Sequence, residues 1–514
     1  MRSSFIKSLS IFALLLLTKI AYATPNDGLC PGNQKFTTQN QITTYFKTYP
    51  NCTIISGDVV ITTDEITDLS PFKRIKTILG TLRVWKNNTI TSFEGFDNLQ
   101  QAEALDISAT AIKNFVGFNQ LQRLVGKSKT INFSYNSSLT TINGFNNLQS
   151  AADILFENNN DLTSISGFDK LTSVDCVIDI DDNNKLQSIA GFTSLKNINN
   201  QCVYDSDYPI PRWFKGVYIL ANPELSNISG FDSLQTTSGL TFDSSDKLAS
   251  ISATSFLQVQ QVNGNFEMTH NAIFNNLDNF SNIKKVTGDF YVSYAPNITS
   301  FSSFKNLQEI DGALKLYGMS AIKDFSGLSN LSVLGAIDVQ YLNSLTNVTG
   351  LENIKQIPKG FELSHNDNLA DISALKGLSA IGGSINITAD PLLNSLSSFD
   401  NLTTQLPYEL PDRSKVLTLQ ISDNKALTSI TALSHFNAKF DALKIDNNFS
   451  LPSLKGIEKI QLSSSSTTSS SSVTQNYNLS DCSALCSVMS NGGQVDISNF
   501  SGNCQSNDSL QCSK

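Results

Sequence analysis

The stretch ILFENNNDLTSISGFDKLTSV, residues 154–174, is followed directly by an equivalent stretch that ends in IDIDDNNKLQSIAGFTSLKNI, residues 178–198. Both stretches carry apolar residues, an asparagine and a Gly-Phe pair at equivalent places. A phrase that returns at a fixed spacing of about 20 to 50 residues is typical of a repeat array. The chain is therefore predicted to be a stack of similar turns and not a compact enzyme core.

The position after the motif glycine marks each further turn along the chain. It is occupied by Phe96, Phe118, Phe145, Phe168, Phe192, Phe231, Phe256, Phe280, Phe304, Leu328, Leu351, Leu375, Phe399, Leu433 and Ile457. Most successive intervals are nearly equal, whereas those that end at Phe231 and Leu433 are much longer. These positions predict about 15 turns with two insertions.

Each turn is expected to contain a short strand, because the Ile-x-Ile step points every second side chain inwards. The apolar steps that follow are too sparse and too β-branched for a full amphipathic helix, so three short segments per turn are expected. One turn cannot bury its own apolar side, so turns are expected to stack at roughly 4.8 Å into a rod on the order of 70 Å long. The prediction is an all-β solenoid whose core includes the phenylalanines.

The recurring asparagine lies eight residues before the motif glycine, and its expected role is structural. An inward amide at a corner can hydrogen-bond the main chain of its own turn and of adjoining turns. The motif glycines are expected to supply a positive φ or a close backbone approach at another corner. The asparagines stand at positions 87, 136, 159, 183, 222, 271, 366, 424 and 448.

The two ends of the chain differ from the repeats. Residues 1–23 have the basic start, the apolar run and the Ala-Tyr-Ala site of a cleaved secretory signal, so an exported protein is expected, without a transmembrane helix. The other predicted boundaries are an N-terminal cap over 24–52, a solenoid over 53–462 that forms one array or two tandem domains, a Ser-rich linker or loop over 463–475, and a Cys-rich C-terminal cap over 476–514.

Eight cysteines in an exported chain predict four disulfide bonds. Cys176 and Cys202 are separated by close to one turn, so they are expected within the Cα separation of about 4.4 to 6.8 Å that a disulfide needs. Cys30 and Cys52 bracket the start of the first turn. The remaining four are expected to seal the C-terminal end of the core, with their pairing open and a zinc site as the less favoured alternative. They are Cys482, Cys486, Cys504 and Cys512.

The formal net charge of −9 argues against nucleic acid and anionic membranes as partners. Only 16% of the residues are charged, so Asn, Ser and Thr supply most of the polar surface. Fifteen Asn-x-Ser/Thr matches fit an exported glycoprotein, although about ten would arise by chance in this composition. The matches include Asn51, Asn87, Asn132, Asn227, Asn297, Asn347, Asn386 and Asn401.

The stretch NCTIISGDVVI, residues 51–61, preceded by Cys30, resembles the opening of receptor L domains. In that family a short helix and a disulfide-bonded cap lead into the first strand. The Gly-Phe-x-x-Leu-x-x-Ile phrase extends the resemblance over residues 30 to about 460. Receptor L domains are the leucine-rich-repeat-like, right-handed β-helical lobes of insulin and EGF receptor ectodomains, and they also occur in fungal cell-wall glycoproteins. The resemblance implies a right-handed solenoid of one or two L domains with a ligand-binding or scaffold role, and it transfers no ligand residue.

The three histidines, His270, His365 and His435, cannot be combined with a nucleophile and an orienting group into a catalytic site. The first two immediately precede the recurring asparagines and are expected to face solvent at a turn. The sequence contains no phosphate-binding loop and no zinc-protease motif. Catalysis is therefore not expected.

The cluster that most resembles a catalytic group consists of Glu157, Asp179, Asp181 and Asp182. Acids that point outwards on neighbouring turns converge, so such a group could perform acid/base chemistry or hold Ca2+. The favoured interpretation is a solvated acidic edge, since no basic residues accompany the cluster on the same face.

The long interval between Phe192 and Phe231 predicts a protruding loop over residues 204–214 that is anchored by Cys202. Exposed aromatic residues on a rigid scaffold are common binding anchors. The alternative is that this loop folds onto its own turn and covers an apolar gap. The predicted ligand site comprises Tyr208, Trp213, Phe214, Tyr218, Asp179 and Asp181. Other outward positions are Arg83, Trp85, Leu155, Glu157, Leu220, Tyr291, Ser293, Lys315 and Tyr317.

These features predict an exported or cell-surface protein that binds an extracellular protein or a glycan through a rigid solenoid face. No cofactor and no metal are expected. The alternatives are a structural surface or cell-wall glycoprotein without a discrete ligand and, less favoured, a β-helical carbohydrate-active enzyme.

Overall fold

The computed structural model describes residues 28–115, 117–202, 215–408, 416–463, 470–490, 493–499, 502–510 and 512. The chain divides into two compact units. We call residues 1–238 and 254–256 the first unit, and residues 239–253 and 257–514 the second unit. Within each unit the strands of successive turns pair in parallel, so the predicted all-β solenoid is confirmed.

Each turn contributes one strand, here called a main strand, to a parallel sheet. In the first unit the main strands are Gln34–Phe36, Val59–Thr62, Thr81–Asn87, Ala104–Thr110, Thr130–Ser134, Ser150–Glu157, Ser173–Asp181 and Gly216–Leu220. In the second unit they are Leu240–Asp243, Phe266–Thr269, Phe290–Ser293, Glu309–Tyr317, Val333–Gln340, Gly360–Ser364, Ile385–Thr388, Thr418–Ser422, Ala442–Asp446, Ser471–Thr474 and Val495–Ser498. The described strands correspond to about 18 turns.

The sequence-based count of 15 turns is too low, because the turns near both ends lack the Gly-Phe signal. Gln34–Phe36 lies inside the predicted N-terminal cap and already pairs with Val59–Thr62. Residues Ser471–Thr474 lie inside the predicted Ser-rich linker, yet they form a main strand that pairs with Val495–Ser498. Residues 464–469 of that linker lie outside the described residues.

Shorter strands and helical turns complete each repeat. The short strands of the first unit are Leu29–Cys30, Ile54–Ile55, Thr77–Ile78, Gln101–Ala102, Arg123–Leu124, Thr141–Ile142, Ser164–Ile165, Ser188–Ile189, Asn197–Ile198, Asn227–Ile228 and Thr236–Thr237. Those of the second unit are Gln261–Val262, Lys285–Val286, Gln356–Ile357, Ala380–Ile381, Thr404–Gln405, Ala438–Phe440 and Ile460–Leu462. The 3₁₀ helices are Ser70–Arg74, Glu94–Phe96, Asp278–Phe280, Ser302–Phe304, Ser326–Leu328, Ser373–Gly377, Ser397–Phe399, Thr431–His435, Gly502–Cys504 and Asn507–Ser509.

The described part of the chain contains two α-helices, Gln39–Thr48 and Leu485–Met489. The first helix begins with a capping box, in which Thr38 and Gln41 satisfy each other's main-chain N–H groups. Its buried residues Tyr45 and Phe46 pack against Phe36 and Phe72 of the first turns. None of the described residues forms a helix that is long and apolar enough to span a membrane.

The phenylalanines after the motif glycine form the core of the first unit. The ring centroids of Phe168 and Phe192 lie 5.0 Å apart and those of Phe192 and Phe231 lie 4.9 Å apart, in stacked geometry. All three side chains are completely buried. In the second unit Leu328 and Leu351 occupy the same position and are equally buried. The predicted continuous apolar packing is confirmed within each unit.

The recurring asparagines form a hydrogen-bonded ladder. The main-chain N–H of Asn159 donates to Oδ1 of Asn183 at 3.0 Å, and Nδ2 of Asn159 donates to the carbonyl of Phe133 at 2.9 Å. Asn136 and Asn222 take part in the same pattern. Each side chain therefore satisfies main-chain groups that no strand reaches, which confirms the structural role predicted for it.

The glycine corner is also as predicted. Gly191 has a φ of 85°, and a Cβ atom on it would lie 2.6 Å from the main-chain nitrogen of Gly167 on the preceding turn. Both a left-handed backbone and a close approach thus require glycine at this position.

The ladder removes some glycosylation acceptors from the predicted set. Asn87 is completely buried, and its Nδ2 donates hydrogen bonds to the carbonyls of Thr63 and Ile66. A folded chain cannot present this amide to a glycosyltransferase, so the assignment of Asn87 as an acceptor is wrong. Asn136 and Asn448 are excluded for the same reason.

Four disulfide bonds join cysteines of the described residues. Cys176 and Cys202, predicted to pair from their one-turn spacing, have Cα atoms 4.7 Å apart. Cys30 pairs with Cys52 at the N-terminal end of the first unit. The open pairing at the C-terminus is resolved as Cys482 with Cys504 and Cys486 with Cys512.

Candidate functional site

The outer face of each main sheet presents regular columns of side chains. In the strand Ser173–Asp181, Ile178 and Ile180 are buried in the core, while the alternate residue Asp179 points outwards. Parallel pairing in register stacks equivalent residues from turn to turn, at a spacing of roughly 4.8 Å. The residue that follows the strand has a left-handed backbone on most turns, as Asp182 does with a φ of 53°. Such a turn therefore has three outward positions, which here are Asp179, Asp181 and Asp182.

Tyr218 is the aromatic residue of the predicted ligand site that lies within the described residues, and neighbouring side chains cover it. Tyr218 is only 8% exposed, and it packs on the outer face of the sheet with Leu155, Cys176 and Val177. Its outward position is as expected, but its exposure is not. The apolar side chain of Leu155 explains why this part of the outer face behaves as a small second core.

The structure tests the other members of that predicted site only in part. Asp179 is 4% exposed and Asp181 is half-buried beside it. Tyr208, Trp213 and Phe214 lie outside the described residues. The ligand site predicted there stays a prediction.

The acidic cluster of the first unit is not a fully solvated edge. Burial raises the pKa of Asp179 well above its usual range, and the charges of Glu157 and Asp181 raise it further. Burial also raises the pKa of Glu157, with added repulsion from Asp181 and Asp182. The favoured interpretation is therefore wrong for Asp179. Among the described residues, no group of three or more His, Cys, Asp or Glu side chains could hold a metal ion, so the Ca2+ alternative gains no support.

The second unit carries a continuous row of aromatic rings on its outer face, which we call the aromatic row. It consists of His270, Tyr294, Tyr317, Tyr341 and His365, one from each of five successive turns. Neighbouring ring centroids lie 4.7, 5.2, 5.0 and 4.5 Å apart in that order. Tyr294 is 44% exposed and Tyr341 is 40% exposed, so the row is open to solvent.

The backbone explains how these rings come together. His270, Tyr294, Tyr341 and His365 occupy the left-handed position after the strand, with φ between 46° and 57°. The intervening turn has Gly318 there, where a Cβ atom would lie 3.0 Å from the ring of Tyr294. Tyr317, one residue earlier, supplies the missing ring. The expectation that His270 and His365 face solvent at a turn is confirmed.

A second column, here called the flanking column, runs beside the aromatic row. It consists of Glu267, Tyr291, Lys315, Asp338 and Glu362. Nζ of Lys315 lies 2.6 Å from Oδ2 of Asp289. Burial lowers the pKa of Lys315, but its hydrogen bond to Asp289 and the charges of the nearby acids outweigh burial and raise it.

The other charged members of the flanking column are carboxylates with neutral hydrogen-bond partners. Glu267 accepts a hydrogen bond from Nδ2 of Asn265 at 2.8 Å, and Asp338 accepts one from Nε2 of Gln340 at 2.7 Å. Burial raises the pKa of Glu362, and the charge of Asp338 raises it further. The surface beside the row is thus acidic.

A shallow depression of about 250 Å3 lies between the two columns. Its lining consists of Tyr291, Lys315, Leu316, Tyr317 and Asp338. The depression combines aromatic edges with one cationic and one anionic group, so it can accept hydrogen bonds, donate them and bury a small apolar group. The aromatic row, the flanking column and this depression form the candidate site.

Sequence reasoning found part of this site. Tyr291 and Tyr317 follow from the alternation of the strands, and the two histidines follow from their place before the recurring asparagine. Tyr294 and Tyr341 were missed because Ala295 and Leu342 replace the asparagine that marks the turn. The available signal was the recurrence of aromatic residues at nearly equal, repeat-length steps from 270 to 365.

Comparison with known proteins identifies part of the second unit. Residues 258–354, which include most of the aromatic row, match the family described as Receptor L domain. The resemblance predicted from the sequence is confirmed for this segment. No curated protein is similar enough in sequence to count as a relative of the chain.

The solved structures that are similar to the chain include two bacterial leucine-rich repeat proteins. A leucine-rich repeat protein from Leptospira interrogans is 16% identical with a TM-score of 0.38, covering 84% of this chain and 93% of that protein. A leucine-rich repeat protein from Bacteroides ovatus is 13% identical with a TM-score of 0.35, covering 73% of this chain and 82% of that protein.

Proposed function

We propose that the chain is an exported or cell-surface, non-catalytic binding protein that recognises a protein or a glycan through the outer face of its second unit. The observation that carries the proposal is the exposed aromatic row. Five rings in mutual contact on a parallel sheet form a rigid surface that loses little entropy when a ligand is bound. A receptor L domain fold over residues 258–354 is typical of a binding scaffold.

The choice of residues in the row supports a role beyond folding. A left-handed backbone is tolerated best by Gly, Asn and Asp, and costs other residues roughly 1 kcal/mol. Other turns carry mostly small or polar residues at this position, such as Asn158, Asp182, Ala221 and Ser244, and one carries Tyr135. The row instead places large rings there, at an energetic cost that core packing does not require.

Other features support export. The signal sequence predicted for residues 1–23 lies outside the described residues. All eight cysteines are paired in disulfides, which fits an oxidising compartment. Of the glycosylation acceptors in the second unit, the exposed Asn297, Asn330 and Asn401 lie outside the main strands.

The proposal is tested by a binding screen with the full-length secreted protein. A glycan array and a display library of extracellular protein fragments are screened with the parent chain and with a Tyr294→Ala/Tyr341→Ala variant. Tyr135→Ala is the matched control, because Tyr135 is 62% exposed at the equivalent left-handed position of the first unit. We expect hits whose affinity falls tenfold or more in the double variant and is unchanged in the control.

Three outcomes would redirect the proposal. Hits that survive the double variant but are lost when Tyr208, Trp213 and Tyr218 are replaced by alanine would move the ligand site to the first unit. An absence of any specific hit would favour the structural glycoprotein, and turnover of a polysaccharide on the array would favour the enzyme.

A further inference from the structure

The geometry of the aromatic row restricts the kind of ligand. The rings of His270 and Tyr294 are stacked at 20°, and those of Tyr341 and His365 are stacked at 16°. One face of each of these four rings is therefore covered by its stacked neighbour. A sugar ring binds an aromatic side chain through a free face, so the stacked faces are closed to glycans. The rings also offer edges, hydroxyl groups and ring nitrogens to a ligand.

The charges around the row favour a cationic ligand. Five carboxylates border it, namely Asp243, Glu267, Asp289, Asp338 and Glu362. Lys315 is the one ammonium group among the ten residues of the aromatic row and the flanking column. Lys315 is already paired with Asp289. Within the described residues, Glu267, Asp338 and Glu362 accept hydrogen bonds from neutral donors and form no ion pair with a lysine or arginine.

We infer that the aromatic row and the flanking column form a docking groove for an extended, basic segment of a partner protein. Lys or Arg side chains of that segment would pair with Glu267, Asp338 and Glu362. Their aliphatic stems would pack along the ring edges, with one of them in the depression beside Tyr317. This inference rests on the proposed function and names the class of its partner.

The dimensions fit such a segment. The row covers four steps between turns, or roughly 19 Å at roughly 4.8 Å per step. An extended peptide rises about 3.3 Å per residue, so about seven residues would span the row. Alternate side chains of an extended peptide face the same way, so basic residues at the first, fifth and seventh places would reach Glu267, Asp338 and Glu362, while the third would lie near Tyr291 and Lys315.

The inference is tested by fluorescence anisotropy with labelled peptides. The probe is an eight-residue peptide of alternating Arg and Ser, and the controls replace every Arg by neutral citrulline or by Glu. The full-length protein should bind the Arg peptide at about 50 mM salt, should bind the citrulline peptide at least tenfold more weakly, and should lose most of the affinity at about 500 mM salt.

Two variants locate the binding. Asp338→Asn/Glu362→Gln and Tyr294→Ala/Tyr341→Ala should each weaken Arg-peptide binding tenfold or more. Asp496→Asn removes an exposed acid from the same outer position of a distant turn, so it controls for the overall negative charge and should change affinity less than twofold. Circular dichroism spectra that match the parent chain show that each variant is folded.

The outcomes separate this inference from the proposed function. Equal Arg-peptide affinity for all variants, or equal binding of Arg and citrulline peptides, would overturn the basic-segment groove. If a glycan or a neutral protein fragment still depends on Tyr294 and Tyr341, the proposed function stands while this inference falls. If nothing depends on the row, both fall.

Discussion

The two units build the same repeat from different residues. In the first unit phenylalanines stack at the glycine corner and asparagines run unbroken along the ladder from Asn136 to Asn222. In the second unit leucine replaces phenylalanine on several turns, and the ladder position is taken by Ala295, Met319 and Leu342, all buried. The inner positions thus require shape and hydrogen-bond satisfaction, and more than one residue type meets each requirement.

The outer faces differ in a more consequential way. Tyr218 in the first unit is nearly buried among apolar neighbours, whereas Tyr294 and Tyr341 in the second unit remain exposed. Each of these two exposed tyrosines directly precedes a ladder position that lacks asparagine. An aromatic residue at an outer position is therefore no guide to a binding site until its exposure is known.

The largest expected effect concerns the core. Phe168→Ala should lower the free energy of unfolding by about 3 to 5 kcal/mol, because a completely buried ring leaves a cavity. Leu351→Ala, at the same position of the second unit, should cost about 2 to 5 kcal/mol. Urea denaturation measures both. A loss below about 0.5 kcal/mol in either variant would contradict the common role of this corner.

The next effect depends on pH and concerns Asp390, which stands in the ladder of the second unit. Its Oδ1 accepts the N–H of Asn366 at 2.8 Å, but its buried Oδ2 has no partner. Asn366 uses Nδ2 to donate to the carbonyl of Val339, and the register places Leu363 at the equivalent position for Asp390. A carboxyl group can donate to that carbonyl only when it is protonated.

Burial accordingly raises the pKa of Asp390 to about 7. The pKa of an unfolded Asp is about 3.9, so the folded state holds the proton more tightly. The stability of the fold therefore falls as pH rises from about 4 to about 7. Asp390→Asn should stabilise the chain by up to about 4 kcal/mol at pH 8 and by little at pH 4. Urea denaturation at both pH values measures this.

A matched exchange sharpens the test of Asp390. Asn159→Asp places the same carboxyl group in the ladder of the first unit and should introduce a loss of stability with rising pH. If the free energy of unfolding kept the parent's pH dependence in both variants, the buried carboxyl group would be ionised or hydrated without loss of stability.

The disulfide of the first unit should have the third largest effect. Replacing Cys176 and Cys202 by alanine opens a loop with a sequence separation of 26 residues. The entropy gained by the unfolded chain should reduce stability by about 3 kcal/mol. Differential scanning calorimetry should show the first unit melting earlier, while a transition that belongs to the second unit stays in place.

The smallest effect concerns the left-handed positions. Tyr341→Asn and the matched Tyr135→Asn should be neutral or stabilising by up to about 1 kcal/mol, because asparagine tolerates this backbone better than tyrosine. Thermal unfolding measures the change. Destabilisation of more than about 1 kcal/mol by Tyr341→Asn would show that the ring serves folding and would weaken the case for a binding role.

The repeat made much of the fold predictable. Its constant spacing fixed the strand positions, the buried phenylalanines, the ladder asparagines and the Cys176–Cys202 pair, because each of these depends on contacts between equivalent residues of adjacent turns. The end turns were not predicted because their strands lack the Gly-Phe pair. Gln34–Phe36 and Ser471–Thr474 are strands through pairing with a neighbour, which local composition does not reveal.

The candidate site was less predictable, for a different reason. Alternation shows that Tyr218 and Tyr317 both point outwards, but exposure depends on the side chains of the neighbouring turns. The left-handed turn that unites His270, Tyr294, Tyr341 and His365 is a backbone property, and the sequence marks it only where asparagine follows.

That left-handed turn has a consequence for how such a protein can acquire new partners. Most described repeats offer one outward side-chain position at this turn, and within each unit these positions follow one another from turn to turn. A substitution there alters what the surface displays while the scaffold is left alone. Binding specificity can thus change by substitution in one repeat at a time. The aromatic residues from His270 to His365 are one set of such substitutions on a recurring backbone arrangement.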